Sequence, residues 1–177
     1  IIEKEKIGYT ESIGIPELRD KISTHYNYWY GQEVKSNCVA VTAGASGAFV
    51  LALLALFDPG DKVAIMTPYY PAYVNALKAL NLDIVYLEGE NKSSYQPTLQ
   101  KLENIKDNIK GLVIASPANP TGSTLKNDTL KNIANWCKKN KVIIISDEIY
   151  HGVEYGKPSE SILRYNKNAI VINSFSK

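Results

Sequence analysis

Ser174-Phe175-Ser176-Lys177 places two hydroxyls and a primary amine directly after a short apolar run. Such an amine can bond covalently to a carbonyl compound, or it can be an ordinary solvated side chain. Asp147 follows the strand-like run 142–146. A carboxylate in that position is partly buried, which is costly unless a cation pairs with it. No Arg or Lys nearby in sequence does so, whereas a protonated ring nitrogen on a ligand would. Tyr150, three residues on, can address the same ligand. Asn119 sits in Ser116-Pro117-Ala118-Asn119-Pro120-Thr121-Gly122, where it is either a fixed amide donor or a turn asparagine. Tyr69 and Tyr70, held between prolines, can stack on a planar ring or simply pack. Gly44-Ala45-Ser46-Gly47 can open a helix whose backbone N–H groups hold a phosphate, or form a plain turn. Its spacing is neither the dinucleotide fingerprint nor a Walker loop.

These residues need strands that end where they begin. Short β-rich runs are expected at 39–42, 62–66, 83–87, 112–115, 142–146 and 169–173. Helices are expected at 48–57, 72–80, 99–105 and 126–139. The last carries Leu130, Ile133, Ala134 and Cys137 on one face. Asp58-Pro59-Gly60-Asp61 reads as a turn, and 88–98 and 151–168 read as loops. An earlier helix opens at Pro16 and stops at Gly31, with Leu18, Ile22, His25 and Trp29 on one face. His25 has no second ligand near it and is expected to be a partly buried structural histidine. Residues 1–10 read as irregular.

Alternating strands and helices imply an α/β fold, a mostly parallel sheet flanked by helices. Ligands in such sheets bind beyond the carboxyl ends of the strands, and the chemistry-bearing clusters all sit at strand ends.

The 177 residues are 45% hydrophobic and 21% charged, with a net charge of +2. That balance suits one globular core and offers no basic patch for nucleic acid. The longest apolar run, 48–57, is too short to span a membrane, and no signal peptide is visible. Cys38 and Cys137 lack metal or redox spacing, so both are expected to be buried or half-buried reduced thiols of a cytoplasmic protein. Asn91-Lys92-Ser93 and Asn127-Asp128-Thr129 match glycosylation sequons by chance. The chain begins at Ile1 and ends directly after a strand, which suggests part of a longer protein.

Asn119-Pro120-Thr121-Gly122, Asp147-Glu148-Ile149-Tyr150 and Ser174-x-x-Lys177, in that order, resemble class I/II aminotransferases, pyridoxal-phosphate enzymes with the type I (aspartate aminotransferase) fold. Gly8-Tyr9-Thr10, Gly14-Ile15-Pro16-Glu17-Leu18-Arg19 and Asp58-Pro59-Gly60-Asp61 are similar to the same family. The likeness spans essentially the whole chain. It implies a partial large cofactor-binding domain, with an N-terminal segment and helix over 1–35, an α/β core over 36–177 and a C-terminal small domain lying outside the chain.

The resemblance also implies roles. Lys177 matches the lysine that bonds covalently to pyridoxal 5'-phosphate and later moves a proton, and Asp147 the carboxylate paired with the ring nitrogen. Tyr150 and Asn119 match donors to the ring's phenolic oxygen, and Tyr70 the stacking aromatic. Ala45, Ser46 and Ser174 match the phosphate cup. Tyr9 matches a tyrosine reaching the phosphate of a neighbouring subunit, which implies a homodimer. The expected reaction moves an amino group between an amino acid and a 2-oxo acid. A pyridoxal-phosphate C–S β-lyase and a non-catalytic sensor domain of a transcription regulator share the same motifs.

Ser116 stands where many relatives have Asn. The arginine that binds the substrate carboxylate in the family has no match, because Arg19 belongs to a helix and Arg164 to a loop. A phosphate-binding arginine would follow residue 177. The 177 residues alone are therefore expected to turn over little or no substrate.

Overall fold

The computed structural model describes residues 8–177, so the expectation for 1–7 lies outside the described residues. The chain forms two compact units, 1–43 and 44–177.

In the first unit, α1 (Pro16–Tyr30) starts on Pro16 and ends at Gly31, whose left-handed backbone (φ 63°) caps Asn27 and Tyr26 carbonyls. Its buried residues are Arg19 and Tyr26, rather than the expected stripe through His25 and Trp29. Arg19 can be buried because Nε donates to the Gly14 carbonyl (3.0 Å) and a terminal nitrogen to Glu11 (2.6 Å). His25 is exposed and stacks on Trp29, with centroids 6.1 Å apart and planes at 16°, which corrects the expectation that it is partly buried. Cys38 is also exposed, not buried. Residues 39–42 do not form a strand among the described residues. Val39 is extended, but Val41 N–H bonds the Ile13 carbonyl (2.9 Å) without a ladder.

The second unit opens with α2 (Gly44–Leu56) and continues β1 (Lys62–Thr67), α3 (Pro71–Ala79), β2 (Asp83–Glu88), α4 (Leu99–Glu103), β3 (Gly111–Ala115), α5 (Asn127–Asn140), β4 (Ile143–Asp147) and β5 (Ile170–Ile172). The five strands form one all-parallel sheet in the order β2-β1-β3-β4-β5. All five coincide with expected runs to within two residues at either end. The expected loops each hold one short 3-10 turn, Asn91–Ser93 and Ile162–Arg164.

Strand side chains alternate between the two faces. Val63, Ile65, Val113 and Ile145 pack with Phe49 and Leu53 of α2 and with Val74 and Leu77 of α3. Ala64, Met66, Leu112, Ile114 and Ile144 pack on the other face with Leu102 of α4 and with Leu130, Ile133, Ala134 and Cys137 of α5. Both faces are covered, which is why the strand runs are almost wholly apolar. Burial pushes the Cys137 thiol up to about 12, so it behaves as a core hydrophobe. No described helix is long and apolar enough to cross a membrane.

Parallel strands bring every carboxyl end to one edge. The β1 to β2 connection runs one way from β1, whereas β3, β4 and β5 extend the sheet the other way. The chain order therefore switches between β1 and β3, where α/β sheets leave a crevice.

Candidate active site

Four of the five strands deliver chemistry-bearing residues to that edge. After β1, Pro68-Tyr69-Tyr70 leads into α3, with Tyr70 as its N-cap residue. The two tyrosines diverge. Tyr69 packs toward the core and near Tyr86 (5.8 Å between centroids), whereas Tyr70 stays 40% exposed. Tyr70 stands edge-on to Tyr73, at 5.7 Å and 85°. Tyr70 thus keeps a ring face open at the edge.

Tyr73 is a residue that sequence reasoning missed. Its hydroxyl donates to Asp147 Oδ2 from the first turn of α3. Asp147 Oδ1 accepts the Ile149 N–H (3.1 Å). Burial raises the Asp147 carboxyl above its ordinary value, with the two hydrogen bonds and His151 opposing. Burial, together with Asp147, also holds the Tyr73 phenol well above its usual range, so Tyr73 stays a donor. No lysine or arginine forms an ion pair with Asp147 among the described residues.

After β3, the 116–122 loop is held at several points. Ser116 N–H donates to the Asp147 carbonyl (3.2 Å), and Ser116 Oγ accepts from Leu125 N–H (2.9 Å). The buried Gln96 amide, also missed, donates to the carbonyls of Ala115 (3.1 Å) and Ser123 (2.8 Å). Nothing in a segment read only as a loop marks Gln96 for that job. The result is a fixed Asn119, whose Nδ2 donates to the Tyr150 hydroxyl at 3.4 Å. Lys177 Nζ lies 5.9 Å from the Tyr150 ring centroid. Asn119, Tyr150 and Lys177, 58 residues apart in sequence from first to last, therefore share one neighbourhood.

After β5, Ser174 Oγ accepts from Ser176 N–H (3.2 Å) and donates to Ser176 Oγ (3.1 Å), shaping the turn that presents Lys177. Helix α2 packs against β5. Its last residue, Leu56, lies a short turn before β1 begins, so its N-terminus with Ala45 and Ser46 lies toward the strands' carboxyl ends. Gly44 starts it with φ 76°, a conformation that favours glycine. The residues at that start are small, and the first N–H groups of an α-helix have no partner within the helix. Tyr9 belongs to the other unit, where its side chain is exposed.

A small pocket between the ends of β1 and β3 is lined by Met66, Tyr69, Tyr73, Gln96, Ala118 and Asn119. It coincides with the topological switch.

This donor set fits a flat, phosphorylated carbonyl cofactor. Asp147 is a carboxylate with no lysine or arginine partner among the described residues. Asn119 and Tyr150 are neutral donors placed side by side. Lys177 offers an amine close by, and α2 offers a helix N-terminus to a phosphate.

Comparison with known proteins agrees. The family described as Aminotransferase class I and II matches residues 3–177. The chain is 45% identical over 174 residues to a valine–pyruvate aminotransferase of Mycobacterium tuberculosis, covering 97% of this chain and 45% of that protein. It resembles the crystal structure of an aminotransferase from Mycobacterium tuberculosis with a TM-score of 0.95 and 44% identity, covering 99% of this chain and 46% of that one. Against aspartate aminotransferase from Thermus thermophilus with maleate, the TM-score is 0.95 at 26% identity, over 99% of this chain and 47% of that one. The chain spans about half the length of the curated relatives it matches. It belongs to the class I and II aminotransferase family.

Proposed function

We propose that the whole protein is a pyridoxal-phosphate-dependent aminotransferase, moving an amino group between an amino acid and a 2-oxo acid. The observation that carries this reading is the convergence of Asn119, Tyr150 and Lys177 beside Asp147, at one edge of a parallel sheet. When bound, pyridoxal phosphate supplies an electron sink for the substrate α-carbon.

Each residue has a defined task. Asp147 would pair with the ring nitrogen through a charge-assisted hydrogen bond, and Tyr73 keeps that carboxylate aimed. Asn119 and Tyr150 donate to the ring's phenolic oxygen. Tyr70 covers a ring face. Ala45 and Ser46 at the start of α2, with Ser174, take the phosphate. Lys177 would hold the cofactor through its side-chain amine and would serve as the base that moves a proton at the substrate α-carbon.

Tyr9 is assigned to the phosphate of a neighbouring subunit in a homodimer that works in the cytoplasm. The substrate-carboxylate group is assigned to the remainder of the protein. The named relative makes valine with pyruvate the first substrate pair to assay.

The test is amino transfer by the full-length protein with added pyridoxal phosphate. Formation of the new amino acid, abolished in Lys177→Ala, is expected. Release of ammonia without transfer would favour a lyase, and cofactor binding without turnover would favour a sensor.

A further inference from the structure

Next to the Asp147 site is a buried polar cluster that the roles above leave unused. Glu148 is 1% exposed. Its backbone N–H donates to the Ile172 carbonyl (2.8 Å), tying it to β5. Its Oε1 accepts from Ser146 Oγ (3.0 Å) and from Ile162 N–H (2.9 Å), while Oε2 has no hydrogen-bond partner. The group facing Oε2 is His151 Nδ1, at 3.7 Å, and both side chains are almost fully buried. The other ring nitrogen, His151 Nε2, lies 2.9 Å from the Ser116 carbonyl.

A carbonyl oxygen only accepts, so Nε2 must carry a proton. Nδ1 is thereby left to face Glu148, and the carboxyl group sets which way the ring sits. Ser116 is the first residue of the loop that carries Asn119, and its N–H already bonds the Asp147 carbonyl. The His151 bond closes the second half of this link between the ends of β3 and β4. His151 acts electrostatically on both Glu148 and Asp147, and Ser116, Ser146 and Ser161 lie against the pair.

We infer that Glu148 and His151 are positioning residues: Glu148 fixes the His151 ring, whose Nε2–H clamps the Ser116 carbonyl and so sets Asn119 against Tyr150. The consequence for cofactor chemistry rests on the reading that Asn119 donates to the phenolic oxygen of pyridoxal phosphate. Glu148→Gln preserves the clamp, because the amide oxygen accepts from Ser146 and Ile162 while its NH₂ faces Nδ1. His151→Phe removes it. A loosened Asn119 favours the anionic ring oxygen less, so the pH at which the cofactor's visible absorbance changes moves up. Lost stability alone reduces the folded fraction without moving that midpoint.

The experiment uses the full-length protein labelled with 15N-histidine. In the cofactor-free wild type the His151 signal, assigned by its loss in His151→Phe, is expected to show a protonated Nε2. A bare Nε2 overturns the clamp whatever the protein binds. In protein loaded with pyridoxal phosphate, the absorbance midpoint is expected to rise by about half a pH unit in His151→Phe and to stay at the wild-type value in Glu148→Gln. Equal midpoints in wild type and His151→Phe overturn the positioning role. Should His151→Phe not fold, Glu148→Leu is expected to raise the midpoint, and an unchanged value again overturns it. A wild type that takes up no pyridoxal phosphate sinks the cofactor reading, and the imidazole signal then decides the clamp by itself.

Discussion

The Tyr73 hydroxyl donates to Asp147 Oδ2, joining the first turn of α3 to the end of β4 across the point where the chain order switches. A half-buried carboxylate with no lysine or arginine partner among the described residues needs such a donor to stay aimed. Tyr73→Phe removes it while keeping the ring's packing against Phe49. The variant should lose about 1–2 kcal/mol of stability in urea denaturation. It should also bind pyridoxal phosphate about tenfold more weakly. Wild-type affinity in Tyr73→Phe would show that the bond does not support the site.

Asn119 is expected to act through its amide alone. Replacing it with Ala removes a donor to an anionic oxygen, worth about 1.5 kcal/mol, or about one pH unit. The absorbance midpoint of the loaded full-length protein should rise by that amount, and a midpoint that stays put or falls would remove Asn119 from the ring oxygen.

Glu148 gives a pH signature in stability. Burial raises its carboxyl above the ordinary value of 4.5. Between that value and the raised one, the folded chain holds a proton that the unfolded chain has released. Stability therefore falls as pH rises through this window. Glu148→Gln has no such proton, so its melting temperature relative to wild type should climb as pH rises from about 4 toward neutrality. A difference that does not change with pH would contradict the assignment.

Much of this was legible in the residues. The strands after residue 60 are apolar, rich in β-branched residues and bounded by Gly, Pro, Asp or Asn, so composition and turn residues located them. The order of Asn119, Asp147, Tyr150 and Lys177 carried the family. What stayed hidden depends on tertiary packing. Tyr73 is one tyrosine among 12, and only the fold brings its hydroxyl to Asp147. Gln96 and His151 act on backbone carbonyls, which no motif encodes. Residues 39–42 have strand propensity but, among the described residues, no neighbouring strand to pair with. His25 lies at core spacing, yet the helix turns a satisfied arginine inward instead.

Leu53 anchors α2 from its fully buried position among Phe49, Phe57 and Val63. Leu53→Ala should cost about 3 kcal/mol, measured by denaturation. A loss below about 1 kcal/mol would mean that α2 is not held by this contact.

The central claim is that Lys177 is the residue that takes the cofactor. Borohydride reduction of the loaded full-length protein, followed by peptide mass analysis, tests it most directly, because reduction makes the lysine–cofactor bond permanent. The account predicts a single modified peptide, with the pyridoxyl mass on Lys177. The mass on any other lysine, or on none, would contradict it.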